Sequence, residues 1–509
     1  MAVIDLYDLR ASLLSDEHFT RTILFRLATF YLLWKAVATT YSVFFGPLSK
    51  FPGPRMAATT QWYRTYIELV KNVSMSTKLK ELHEQYGPVV RIGPNELHFS
   101  SPTAYNAIYQ QKFDKEPILY KSFGEDESSF GYLSVKEAKP RKDLLNPLFS
   151  RRETIRMQGL VQEKVDKLCK NMVKRYEEGK SCNMLMALRC AAMDVITTFC
   201  FAKSVDSLDE PDFEAPIIIA MESTLPSFLL FRHFPLIRWL VFSLPPWLTM
   251  VTAPKMKGLL DLQKMLSGQI AEVKADPSVL EKTPHRTIYH PLLQEANVSA
   301  KSLYEEGQAM LFAGTDTVSN TVMLAIFHIL ENPAIHKRLQ EELIEFWPDL
   351  NTTPRYEELE KLPYLNAVIK ESLRHTPAVA AGLLRIVGPE SANIDGYEVP
   401  QGTVISMAIL FMHMNKTIFR HGEKFVPEAW LEPGAKELES KLVPFSKGPR
   451  MCLGQNLAYC ELYLMFANIF RRFDLTLDGT VASDLEWREC FLPWYYKRHI
   501  HCYTKPRTA

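Results

Sequence analysis

The stretch that decides the reading is FSKGPRMCLG, Phe445 to Gly454. Cys452 stands between Gly448 and Gly454, with Phe445 and Arg450 ahead of it. Further on, Ala458, Leu462, Met465, Phe466, Ile469, Phe470 and Phe473 recur at helical spacing, so a helix is expected to begin within a few residues of the thiol. A thiol at that end meets the positive pole of the helix and its free backbone N–H groups. Such surroundings lower a cysteine pKa and suit the sulfur to bind a metal as an anion. The two glycines clear bulk from both sides, letting the backbone lie against something flat. Arg450 can pair with an acidic group on that flat object.

A haem meets these demands, with a planar face, an iron that takes an axial thiolate, and propionates for the arginine. The plainer alternative is a buried cysteine in a glycine-containing turn. Against it, Phe-x-x-Gly-x-Arg-x-Cys-x-Gly fixes five positions in ten, a pattern too long to recur often by chance. Cys460 lies inside the expected helix and reads as packing.

A second motif is MLFAGTDTVSNTVMLAIF, Met310 to Phe327, where apolar flanks enclose Ala313-Gly314-Thr315-Asp316-Thr317. A glycine inside a helix costs about 1 kcal/mol relative to alanine. Gly314 is expected to let a ligand approach, and the Thr317 hydroxyl to compete for the Ala313 carbonyl. Taken alone, the Asp-Thr pair reads equally as a structural kink. A third motif is YLNAVIKESLRHTP, Tyr364 to Pro377, where Glu371 and Arg374 are spaced to meet on one side of a helix. By itself this pair is weak, because solvated helices often contain it.

Together these segments resemble the haem-thiolate monooxygenases of the cytochrome P450 superfamily, over roughly residues 50 to 505. LHEQYGPVVRIGPNELHFSS and LVPFSKGPRMCLGQNLAYCELYL resemble the fungal secondary-metabolism branch that includes trichodiene oxygenase. The resemblance implies a mainly α fold with small β-sheets, one haem domain, and heme b held by Cys452 as axial iron ligand. Phe445, Arg450 and Gly454 would belong to the cofactor site. Asp316 and Thr317 would relay protons to dioxygen at the haem, so that one oxygen leaves as water. Glu371 and Arg374 would form a buried structural pair, completed in the family by an arginine where this chain has Ala429, which leaves the network short of a member. The family's tryptophan and arginine for a haem propionate are replaced here by Ala138 and Lys142, with Arg141 as an alternative. Arg385 is a further propionate candidate.

The activity implied is insertion of one oxygen atom from O2 into an apolar small molecule of terpenoid or polyketide origin. Two other readings are a haem-thiolate isomerase or dehydratase that does not use O2, and a non-catalytic haem-binding membrane protein. No glycine-rich flavin or nicotinamide fingerprint is present, so electrons are expected from NADPH through a separate NADPH-cytochrome P450 reductase.

Composition bounds the rest. Lys+Arg 59 against Asp+Glu 58 gives a net charge of +1, and no basic block suggests nucleic acid as a partner. The eight cysteines show no C-x-x-C pair and are expected to be mostly buried and reduced. ILFRLATFYLLWKAVATTYSVFF, Ile23 to Phe45, is long enough to cross a bilayer, with Lys35 as its costly residue. Asp5, Asp8, Asp16 and Glu17 precede it; Lys50, Arg55 and Arg64 follow. That order predicts a retained single-pass anchor in residues 1–48, with the catalytic body, 49–509, facing the cytosol from the endoplasmic reticulum. PLSKFPGPR should act as a stiff hinge. Strands are expected at 88–93 and 97–100 and around 394–410, where an Asp-Gly turn joins β-branched runs. Residues 225–250 are apolar but broken by prolines, and read equally as buried core or as a membrane-dipping lid. The acceptor patterns at Asn72, Asn297, Asn351 and Asn415 are chance matches if the body is cytosolic.

Overall fold

Apolar positions three and four apart run through most of the body, and helices packed around one extended core answer them. The computed structural model describes residues 17–295 and 298–507; Asp5, Asp8, Asp16 and Asn297 lie outside them. Helix α1 (Glu17–Phe44) has 28 residues, and Phe25, Phe30, Leu32 and Phe44 on it are exposed. It is long and apolar enough to cross a membrane. Lys35, its costly residue, lies over the rings of Tyr31 and Trp34, which cover the ammonium with π-electron density. The segment after it is no free hinge. Leu48 and Phe51 are buried, and their side chains belong to a core cluster with Val89 and Leu97.

The expected strands form as β1 (Val89–Gly93) and β2 (Glu96–Phe99). Helix α2 (Pro102–Tyr109) follows, with Ser101 accepting from the Ala104 N–H at its start. After β3 (Asp114–Lys115) the chain becomes helical: α3 (Val135–Leu145), α4 (Arg151–Glu177) and α5 (Met184–Phe201). The proline-broken run gives short helices, α6 (Pro216–Thr224), α7 (Ser227–His233) and α8 (Pro235–Phe242). Leu236, Trp239, Phe242, Trp247 and Val251 are exposed there, which decides against a buried core segment. Helix α9 (Lys257–Ala275) leads to α10 (Ala300–Leu330), the long central helix.

Helix α11 (Pro363–His375) carries the Glu-x-x-Arg pair. Strands β4 (Arg385–Ile386) and β5 (Val404–Ser406) complete a sheet of order β1-β2-β5-β4-β3, parallel between β2 and β5 and antiparallel elsewhere. Between them the Asp-Gly turn closes the hairpin of Ala392–Ile394 with Tyr397–Val399, Asp395 and Gly396 both taking positive φ as a two-residue hairpin turn requires. Helix α12 (Gln455–Arg472) begins just past Cys452.

Nearly all of α5 is buried, because α10 crosses directly over it. A Cβ on Gly314 would stand 2.8 Å from Ile196 of α5. The glycine therefore serves helix packing, which corrects the expectation that it clears room for a ligand. Seven of the eight cysteines are buried and all are free.

Candidate functional site

The cysteine loop is closed by its own backbone. Cys452 N–H donates to the Phe445 carbonyl at 2.9 Å, and Met451 N–H to that of Gly448 at 3.0 Å. Ser446 and Gly448 take φ of 60° and 73°, which folds the chain back on itself. A Cβ at Gly448 would lie 2.3 Å from the Tyr109 carbonyl, so this glycine seats the loop against α2. At Gly454 a Cβ would meet nothing within 4 Å. The Phe445 ring packs against Tyr459 at 5.2 Å.

Cys452 is exposed yet ringed by protein. Burial pushes its thiol up from the ordinary value, opposed by the Gly454 N–H and by Lys142. The Gly454 N–H, at the start of α12, acts in the direction expected of a helix beginning there, and burial acts against it.

Beside the loop, the half-buried Arg450 joins the buried Lys115 and Arg385 in a basic cluster. Arg450 Nη2 donates to the carbonyls of Tyr132, Leu133 and Ser134 at 2.8, 2.8 and 2.7 Å, while its Nε is buried without a partner. Burial, then the nearby Arg385, pull Arg450 down to about 10. Arg385 is 3% exposed and donates to the Tyr120 hydroxyl at 3.0 Å. Lys115, also buried, lies over the rings of Tyr120 and Phe130. Burial, then Arg450 and Arg385, hold its ammonium well below the ordinary value. Cations that repel one another out of water call for an anion between them. Lys115 had no signal in the sequence, since a single lysine among the mixed charges of Lys112 to Glu116 belongs to no motif.

Two other expected contacts are redirected. Lys142 gives its ammonium to the Met451 carbonyl at 2.6 Å and that of Pro449 at 3.5 Å, so it clasps the cysteine loop instead of reaching for a propionate. Arg141 is spent on Glu306 at 3.2 Å and Glu295 at 2.6 Å.

On α10, Ala313 is exposed and Met310, Phe312, Gly314 and Thr317 are half-buried, while Thr315, Asp316 and the residues from Val318 onward to Phe327 are buried. Thr317 Oγ1 donates to the Ala313 carbonyl at 2.8 Å, the competition expected from the spacing. Asp316 behaves differently. Its carboxylate is buried and meets Arg189 Nε of α5 at 2.6 Å, off the ideal N–H line, so the contact is one of charge more than of aligned hydrogen bonding. Arg189 also meets Glu222 of α6 at 3.1 Å, and Glu222 meets His499 at 3.0 Å. Burial raises the Asp316 carboxyl, with Arg189 opposing. The structure thus parts the two residues: Thr317 lies at the half-open stretch, and Asp316 belongs to a buried charge chain.

Glu371 and Arg374 form a fully satisfied network. Glu371 accepts from Arg374 Nε and Nη2 at 2.8 and 2.7 Å, from the Val426 N–H at 2.7 Å and from Trp430 Nε1 at 2.9 Å. Arg374 donates onward to the carbonyls of His413, Gly422 and Lys424. The place left by Ala429 is thereby covered by the next residue's indole. An aromatic group also joins three distant segments, with Phe123 at 5.3 Å from Phe130, 5.0 Å from Phe228 of α7 and 4.8 Å from Phe491. Phe491 has a φ of 74° and its carbonyl accepts from Ala380 and Ala381.

These donors fit a haem. A reachable sulfur and a largely buried cationic cluster, with one Nε unpartnered among the described residues, suit an iron and two propionates. The cytochrome P450 family model matches residues 58–491. Among curated relatives, cytochrome P450 monooxygenase flvC of Aspergillus flavus is 33% identical, covering 89% of this chain and 91% of that protein. Cytochrome P450 monooxygenase macH of Penicillium terrestre is 34% identical, covering 92% and 94%. Tryptophan 6-hydroxylase fscE of Fusarium equiseti is 33% identical, covering 88% and 90%.

Proposed function

Because the chain belongs to the cytochrome P450 family and is a monooxygenase by its relatives, we propose that it hydroxylates or otherwise oxygenates an apolar intermediate of fungal secondary metabolism, of terpenoid or polyketide type. In this reading residues 1–48 are an N-terminal segment carrying the membrane anchor and 49–509 the haem domain. The observation that carries the reading is the pairing of one reachable thiol, Cys452, with the buried Lys115 and Arg385 and the half-buried Arg450.

When bound, the haem supplies the iron at which dioxygen is reduced, a chemistry that an electron-donating thiolate favours. Everything else falls to the chain. Cys452 binds the iron from a loop that Lys142 and Tyr109 hold in place. Lys115, Arg385 and the free Nε of Arg450 take the propionates. Thr317 holds a hydroxyl at the open stretch of α10, where it can pass a proton, while Asp316 keeps Arg189 and through it Glu222 of α6 in position. Phe123, Phe130, Phe228 and Phe491 offer an apolar wall that excludes water and suits a flat, greasy substrate.

Helix α1 is the anchor, and the exposed Trp239, Phe242 and Trp247 of the lid rest in the same endoplasmic-reticulum bilayer, with the body in the cytosol beside NADPH-cytochrome P450 reductase. The test is reconstitution with reductase, NADPH and oxygen. Wild-type protein yields product carrying one atom of labelled O2. Cys452→Ala loses both haem uptake and turnover. Turnover without oxygen or reductase would overturn the reading in favour of an isomerase or dehydratase.

A further inference from the structure

Arg91 is a cation in an odd place. It sits on β1, 3% exposed, and among the described residues it meets no carboxylate. Its guanidinium instead reaches the last turn of α1. Nη1 donates to the Ser42 carbonyl at 2.9 Å and Nη2 to the Ser42 hydroxyl at 2.8 Å. The remaining bonds go to the carbonyls of Pro94 at 2.7 Å and Gly93 at 3.3 Å. The Ser42 hydroxyl passes its own proton to the Ala58 carbonyl at 2.9 Å.

The end of α1 explains the choice of residue. The last carbonyls of a helix have no partners within it and carry the negative pole of its dipole, where a cation is stabilising. A planar guanidinium holds its donors in a fixed fork, so it bonds a backbone oxygen and a side-chain oxygen side by side in a set geometry, which a freely rotating ammonium does not impose. Below the lock, the Arg91 N–H donates to the Pro52 carbonyl at 2.7 Å, and a Cβ at Gly53 would lie 2.3 Å from the Arg91 carbonyl. With Leu48 and Phe51 buried, the chain from Ser42 to Gly53 is fastened along its length. The fastening continues toward the lid: Trp62 packs on Phe234 at 6.0 Å, and His233 of α7 meets Glu68 at 2.5 Å and Thr65 at 2.9 Å.

We propose that Arg91 locks the membrane helix to the catalytic body, so that the protein is a rigid mount holding its lid at a set angle to the bilayer and not a body on a loose tether. The proposal rests on the reading of α1 as a spanning anchor. A locked exit keeps the exposed lid residues at one depth, so that an apolar substrate enters from lipid without passing through water.

The experiment is polarised absorption of the full-length holoprotein in oriented phosphatidylcholine bilayers, which reports the order of the haem plane. A control carrying eight inserted Gly/Ser residues after Pro47 defines a free body. Wild type is expected to show at least about threefold the dichroism of that control. Ser42→Ala, which leaves the body untouched, should fall between them, and Arg91→Met should match the control while keeping the thiolate-haem spectrum. Variants that retain the wild-type dichroism would overturn the lock, as would a wild type no more ordered than the control. Release of wild type by an alkaline carbonate wash would instead overturn the spanning reading, and the mount with it.

Discussion

Replacing Trp430 by phenylalanine removes one of the four N–H donors that hold Glu371. The carboxylate is 2% exposed, so water cannot take the vacated place. A hydrogen bond to a buried charge contributes roughly 1.5–3 kcal/mol, and the lost ring volume adds about 1 kcal/mol. The expected loss is about 2–4 kcal/mol, read as a lower urea midpoint at unchanged slope in the haem-loaded protein. Glu371→Gln should cost more, about 3–5 kcal/mol, because it strands the Arg374 charge. The pH dependence follows. Burial acts to raise Glu371, but Arg374 and His375 overcome it and hold the carboxyl at about 2, against an ordinary 4.5. A depressed carboxyl contributes its stability above the unfolded value and loses it as pH falls toward the folded one, so about 3 kcal/mol should disappear between pH 4.5 and 2. A loss below about 0.5 kcal/mol for Trp430→Phe would refute the claim that the indole stands in for the missing arginine.

Gly314→Ala should destabilise by about 1–2 kcal/mol, overpacking against Ile196 outweighing the gain in helix propensity; Ile196→Val in the same chain should recover part of it in a denaturation series. Arg189→Met leaves Asp316 buried without its cation and should cost about 3–5 kcal/mol, with Arg189→Lys recovering much of the loss. His233→Ala frees α7 from Glu68 and Thr65 and should raise hydrogen exchange at least about tenfold over residues 227–251 while leaving α10 unchanged.

The sequence disclosed what is local. The cysteine loop, the Ala-Gly-x-Asp-Thr run and the Glu-x-x-Arg pair each lie within a few turns, so spacing alone brings their members together. It could not disclose partners supplied by distant segments. Nothing near Ala429 says that the next side chain turns its N–H toward Glu371, and nothing near Asp316 points to Arg189. Direction was equally hidden. Gly314 read as an opening toward a ligand because a missing side chain does not say which way it would have pointed. Residues 225–250 were undecidable for a related reason, since exposure of an apolar run depends on what else packs there. Lys142 and Arg141 were misjudged because each found nearer acceptors in the fold.

Tyr109 meets Gly448 through its backbone carbonyl, while its hydroxyl is held between the carbonyls of Leu383 and Met407 and the N–H of Met407. One residue therefore acts as a gauge block between the flank of the sheet and the cysteine loop. A change in strand spacing there would shift the sulfur of Cys452 and so would tune any metal it holds, though no residue of the cysteine loop had been replaced.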